Sequence, residues 1–115
     1  GETMSEQDIV NAILDYLHIH GAIATRVNSG VRIIQGSNGS KYAFRGAPKG
    51  TADIIACWPG GLYMAIEVKT KNGKTSPEQD IFLQTVRDAG GLAIVARSSD
   101  DVESALRERR KLCQT

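Results

Sequence analysis

Asp53, Glu67 and Lys69 stand at spacings that could do chemistry. Two short runs separate them, Ile54-Ile55-Ala56-Cys57-Trp58 and Leu62-Tyr63-Met64-Ala65-Ile66, rich in β-branched and aromatic residues and broken by Pro59-Gly60-Gly61. That pattern predicts two strands and a tight turn. A hairpin loop over 59–61 pairs Trp58 with Leu62, and counting outward sets Asp53 opposite Glu67. Side chains alternate between the faces of a strand. Ile54, Ala56, Trp58, Leu62, Met64, Ile66 and Val68 therefore share one buried face, and Asp53, Glu67 and Lys69 share the other. Opposed residues have Cβ atoms roughly 4.5–5.5 Å apart, a distance at which like charges destabilise a sheet. Two carboxylates placed so call for a cation between them, and oxygen ligands of this kind suit Mg2+ or Mn2+.

The elements that must position these residues follow from caps and periodicity. Ser5 caps a first helix, with Asp8 completing a weak capping box. Ile9, Ile13, Tyr16 and Leu17, with Val10 and Leu14, form its apolar stripe, and Gly21 ends it. Ala22–Val27 and Val31–Gln35 read as strands about the turn Asn28-Ser29-Gly30. Lys41–Arg45 reads as a short strand or loop, and Gly46–Gly50 delivers the chain to Asp53. Lys69 to Thr75 is a polar, basic loop. Ser76 at a cap and Pro77 at the first helical position open a second helix that runs to about Ala89, with Ile81, Phe82, Thr85 and Val86 facing inward. Leu92–Ala96 is a buried strand. Ser98 or Ser99 caps a last helix that buries Val102, Ala105, Leu106 and Leu112, with a basic end that suits the helix dipole. The order is helix, strands, helix, strand, helix: an α/β fold with a mixed central β-sheet flanked by α-helices.

The length fits one domain with a modest core, expected over residues 4–115, with Gly1-Glu2-Thr3 a leftover of expression ahead of Met4. The cysteines, Cys57 and Cys113, are too far apart and too few for a disulfide framework and point to a reducing compartment. No apolar run is long enough to span a membrane and no secretory signal opens the chain, so a cytoplasmic protein with no membrane partner is expected. The formal net charge of +1 hides an asymmetry. From Tyr16 to Ala52 there is no acid, while Arg26, Arg32, Lys41, Arg45 and Lys49 fall in that stretch. A basic segment leading into a carboxylate site suggests a polyanion, with its phosphates on the basic arm.

Asp53 followed by Glu67-Val68-Lys69 on the next strand resembles the core motif of the PD-(D/E)xK nuclease superfamily. The likeness extends through Ser5-Glu6, Asn28-Ser29-Gly30, Gly46 to Asp53, Ser76-Pro77-Glu78-Gln79 with Phe82, and Gly90-Gly91 through Val95-Ala96-Arg97. Together these segments resemble a stand-alone VRR-Nuc domain of bacterial or phage type, over most of the chain from about Glu6 to Arg97. Ala52 stands before Asp53 where the superfamily motif carries Pro. The resemblance implies a restriction-endonuclease-like core and a Mg2+- or Mn2+-dependent endonuclease. It implies branched or structured DNA as substrate, four-way (Holliday) junctions among it, and a homodimer, in bacterial cytoplasm or, for a phage protein, in that of its host. It implies Asp53, Glu67 and the backbone carbonyl of Val68 as metal ligands and Lys69 as the residue that holds the attacking water or stabilises the transition state. Glu6 matches the family's first-helix acid and Gln79 its helix glutamine, with a hydrogen bond to water or to Lys69 expected. Residue type alone also allows Glu6 as a helix-start charge and Gln79 as an ordinary polar helix residue, and reads Asn28 as either a turn residue or a DNA contact. A non-catalytic DNA-binding module and a nuclease of the same fold acting on RNA remain the alternatives.

Overall fold

The hairpin predicted around Pro59-Gly60-Gly61 is the centre of the sheet. In the computed structural model, which describes residues 4–28 and 31–113 (side chains of 31–34 and 42–45 excepted), β4 (Ile54–Trp58) pairs antiparallel with β5 (Leu62–Val68). The register runs from Trp58↔Leu62 to Ile54↔Ile66, as the turn requires. β1 (Ile23–Arg26) pairs antiparallel with β4, and β6 (Leu92–Ala96) lies parallel to β5, so the four-stranded sheet is mixed, in the order β1-β4-β5-β6. Parallel neighbours need a crossover, and α2 (Pro77–Asp88) supplies it.

Helices cover both faces. α1 (Glu6–Ile19) and α3 (Ser99–Cys113) pack on one face, where Ile9, Val10, Ile13, Leu17, Val102 and Leu106 meet Ile54, Met64, Ile66 and Val68. The other face holds a smaller cluster, in which Leu83 and Val86 of α2 close over Ala65 and Ala93. β5 is thus buried on both faces from Met64 to Val68, as a strand with a parallel neighbour must be.

The caps behave as their residue types require. Ser5 Oγ accepts from Asp8 N–H while Asp8 Oδ2 accepts from Ser5 N–H, a closed capping box. Ser98 Oγ accepts from Asp101 N–H at the start of α3. Three inward-facing assignments, in two helices, need correction. In α2 the buried residues are Leu83 and Val86, while Ile81 is 67% exposed and Thr85 is also exposed. Each residue turns a helix by about 100°, so the stripe through Leu83 and Val86 leaves Ile81 on the far side. In α3 the apolar stripe ends at Leu106, and Leu112 is exposed in the last turn.

β2 (Val31–Gln35) and β3 (Lys41–Arg45) form a separate antiparallel ribbon. Among the described residues they contact each other and no other helix or strand. The ribbon is closed at its base by the Ala47 N–H, which donates to the Asn28 carbonyl at 2.9 Å. Standing off the body, it lengthens the molecule to 60 × 38 × 29 Å and raises the radius of gyration to 16.0 Å; a compact chain of this length has one of about 13 Å. No described helix is long and apolar enough to cross a membrane.

Candidate active site

Asp53 lies one residue before β4, where continuing the hairpin register sets it opposite Glu67. Two bonds hold it there. Its carbonyl accepts the Val27 N–H at 2.7 Å, and its Oδ2 accepts the Val68 N–H at 2.8 Å. The carboxylate stands in for the ladder partner that β4 no longer supplies, and this aims it along β5. The approach to Asp53 is equally tight. Gly50 has φ +94° and presses on the first turn of α2, where a Cβ would come within 2.7 Å of the Glu78 carbonyl oxygen. Only glycine accepts both the conformation and the contact.

Glu67 is 2% exposed, the one charged residue among the buried residues described. Its Oε1 accepts from Gln79 Nε2 at 3.1 Å and lies 3.7 Å from Lys69 Nζ. Its Oε2 is buried without a hydrogen-bond partner, alone in this among the described residues. Burial raises the Glu67 carboxyl most, and Asp53 raises it further, as a like charge and as the acceptor that a protonated Glu67 would find; Lys69 pulls it back and Glu6 adds to the rise, leaving it at about 8. A buried carboxylate in that state lacks positive charge.

Gln79 occupies the third position of α2. Its Oε1 accepts the Ser76 N–H at 2.9 Å, closing a second capping box, while Ser76 Oγ accepts the Gln79 N–H. With the amide oxygen committed to the cap, the amide nitrogen is turned to Glu67. The amide nitrogen thus donates to the carboxylate rather than lying against Lys69. The Ser-x-x-Gln spacing was the sequence signal for this orientation. Lys69 is mostly covered, its side chain 16% exposed, and its backbone N–H donates to the Ala96 carbonyl at 3.1 Å.

Asp53, Glu67, Lys69 and Gln79 thus come together from the hairpin and the start of α2. Glu6, exposed in the first turn of α1, is felt at Glu67 only as a weak charge. Among the described residues no three His, Cys, Asp or Glu side chains gather as a metal-binding group. The pair that could hold a cation is Asp53 and Glu67. Opposed carboxylates, an unpartnered buried oxygen and a raised carboxyl fit a hard divalent ion.

The basic residues do not form one cluster. Arg26 donates to Gln7 Oε1 across to α1, and Lys49 pairs with Glu78 at 3.8 Å on the surface. Lys41 is exposed beside the turn of the ribbon. Asn28 contributes its backbone carbonyl at the ribbon base. Arg32 and Arg45 have backbone positions in the ribbon, but their side chains lie outside the described part of the structure. Arg97, to which the sequence assigned no separate role, donates from Nη1 to the Thr70 carbonyl and, at 3.3 Å, to that of Lys71.

The sequence model of the VRR-NUC domain matches residues 5–100, which contain every element from α1 to β6. A solved structure described as a VRR_NUC domain superposes with a TM-score of 0.62 at 19% identity, over 89% of this chain and 94% of that one. None of the curated proteins matches. The fold is shared with that structure, and by the extent of the family match the chain belongs to the VRR-NUC domain family, a family related to the PD-(D/E)xK nucleases.

Proposed function

We propose that the chain is a Mg2+- or Mn2+-dependent endonuclease that hydrolyses phosphodiester bonds in branched DNA, four-way junctions among them, and that it works as a homodimer. The observation that carries this reading is Glu67: a buried carboxylate opposed by Asp53, beside Lys69, with one oxygen that no hydrogen-bond donor of the described residues reaches. A protein bears that cost where an ion or reacting group completes the site.

Hydrolysis forms a bond from a water oxygen to phosphorus as the bond from phosphorus to the 3′-oxygen breaks. Asp53 and Glu67, with the Val68 carbonyl as a further ligand, would hold a divalent cation, which would polarise the phosphate and make a bound water more acidic. The residues of the chain set the geometry. The Val68 N–H keeps the Asp53 carboxylate aimed along β5. Gln79 fixes the rotation of Glu67 through Oε1 and leaves Oε2 for the ion. Lys69 Nζ, near the same carboxylate, orients the attacking water or meets the negative charge that develops on the phosphate. Glu6, at the start of α1, completes the metal site or orients its water. Arg26, Asn28, Lys41 and Lys49, with Arg32 and Arg45, contact the phosphates of the DNA arms. A four-way junction is symmetric, and paired cuts need two active sites related by a twofold axis.

The test is incubation of the purified chain with Mg2+ or Mn2+ and labelled linear, flapped and four-way DNA, alongside structured RNA. Metal-dependent cuts in branched DNA, lost in Asp53→Asn and Glu67→Gln, are the expected result. DNA bound but left uncut under every condition would make the chain a binding module; cuts confined to RNA would move the substrate.

A further inference from the structure

The turn that follows β5 has no place in the site as described, yet the fold holds it at several points. From Val68 to Pro77 the chain has no acid and carries Lys69, Lys71 and Lys74. Lys69 is turned in to Glu67. Lys71 and Lys74 are exposed, and among the described residues neither forms an ion pair. Such a loop gains by moving its charges apart in water. This one is instead folded back on itself. Gly73 N–H donates to the Thr70 carbonyl at 3.0 Å, and Gly73 lies so near the Lys69 stem that a Cβ there would be 3.4 Å from Lys69 Cβ and Cδ. The Arg97 guanidinium then reaches from the end of β6 to the carbonyls of Thr70 and Lys71. Arg97 is itself set by its backbone N–H, which donates to Asp101 Oδ2 at 2.8 Å in the first turn of α3.

The arrangement brings a third cation onto a turn that already bears two, and satisfies it with neutral carbonyls rather than with a carboxylate. With Lys69 paired to Glu67, Lys71, Lys74 and Arg97 leave the turn after β5 positively charged, with Asp80 and Asp101 the acids bonded at its far end and behind Arg97. Its complement is a polyanion, and a backbone of regularly spaced phosphates meets several of these charges at once. We infer that the turn Thr70–Lys74 is a strap that contacts DNA phosphates beside the scissile bond through Lys71 and Lys74, and that Arg97 is the positioning residue that holds it in place. The inference rests on the reading of the chain as a nuclease acting on DNA.

The experiment measures binding of a fluorescent four-way junction to the full chain across a salt series, in Ca2+ so that the DNA stays whole, with cleavage in Mg2+ or Mn2+ measured separately. Lys71→Gln/Lys74→Gln reduces the slope of log affinity against log salt by about 2, one for each phosphate no longer neutralised, and raises KM more than it lowers kcat. Arg97→Gln raises deuterium uptake at the amides of 70–74 and raises KM more than it lowers kcat. Arg97→Lys keeps the charge but lacks the planar fork, and it fails to restore native affinity. An unchanged salt slope in the double lysine variant overturns the strap, and native affinity in Arg97→Lys overturns the positioning role. A native chain that binds DNA but never cuts it sinks the nuclease reading alone. An unchanged slope in a chain that still cuts sinks the strap alone.

Discussion

Glu67 has one carboxylate oxygen on the Gln79 amide and the other on no partner. Its titration therefore has a consequence for stability. The carboxyl, ordinarily near 4.5, is raised to about 8 by burial and by Asp53. Between those values the folded, cation-free chain holds a proton that the unfolded chain has released. The stabilisation is complete below about 4.5 and is lost as pH rises through about 8. Thermal denaturation in a chelator should show Tm falling across that window, and Glu67→Gln should flatten the fall. Added Mg2+ should raise Tm more at the alkaline end, because the ion needs the ionised carboxylate. For Lys69→Ala, whose proposed part lies in the transition state, kcat should drop by about 10²–10³-fold, the usual cost of removing one such donor, while DNA affinity measured by anisotropy changes little.

α2 both covers one face of the sheet and reaches into the site. Gln79 closes the cap with one end of its amide and holds Glu67 with the other. Gln79→Ala should lower stability by about 1–3 kcal/mol, since it leaves buried Glu67 with a second unsatisfied oxygen. It should also slow cleavage by about 10–100-fold, the range for groups that orient a metal ligand. Denaturant melts and initial rates measure the two effects separately. The same helix gives a direct test of its rotation. Leu83→Ala should cost about 2–5 kcal/mol as a core truncation, whereas Ile81→Ala should stay within about 0.5 kcal/mol as a surface change. Equal costs at both positions would contradict the packing described. The sequence showed α2 by its Ser-Pro start and its length, but the inward face was misread, because Ile81, Phe82, Thr85 and Val86 make almost as good a stripe as Phe82, Leu83 and Val86.

At the scale of the molecule, the β2–β3 ribbon is an arm that, among the described residues, contacts no other helix or strand. Replacing Val31–Arg45 with a short Gly-Ser link should leave Tm nearly unchanged and weaken binding to branched DNA, since the arm carries Arg32, Lys41 and Arg45. A large loss of Tm would show instead that the arm packs on a second copy, and light scattering on the same two proteins reads that directly. The proposed homodimer predicts twice the chain mass at the concentrations where junctions are cut in pairs; a monomer that still makes paired cuts would exclude it.

The sequence by itself determined whatever depends on neighbours close along the chain. The turn at 59–61 and the two-residue period of strands were enough to place Asp53 opposite Glu67, because a hairpin register follows from its loop. Ser5, Ser76 and Gly21 marked helix ends because their side chains, or the lack of one, act within a turn of backbone. Only the tertiary structure decided what lies across the chain from these positions. It laid α2 over Glu67 and so buried the carboxylate and raised its pKa. It turned the Gln79 amide to that carboxylate rather than to Lys69, and it carried Arg97 from the end of β6 to the turn after β5. None of these contacts has a sequence period, because each joins segments whose approach is set by the packing of helices on a sheet, and burial and charge there depend on every element that arrives.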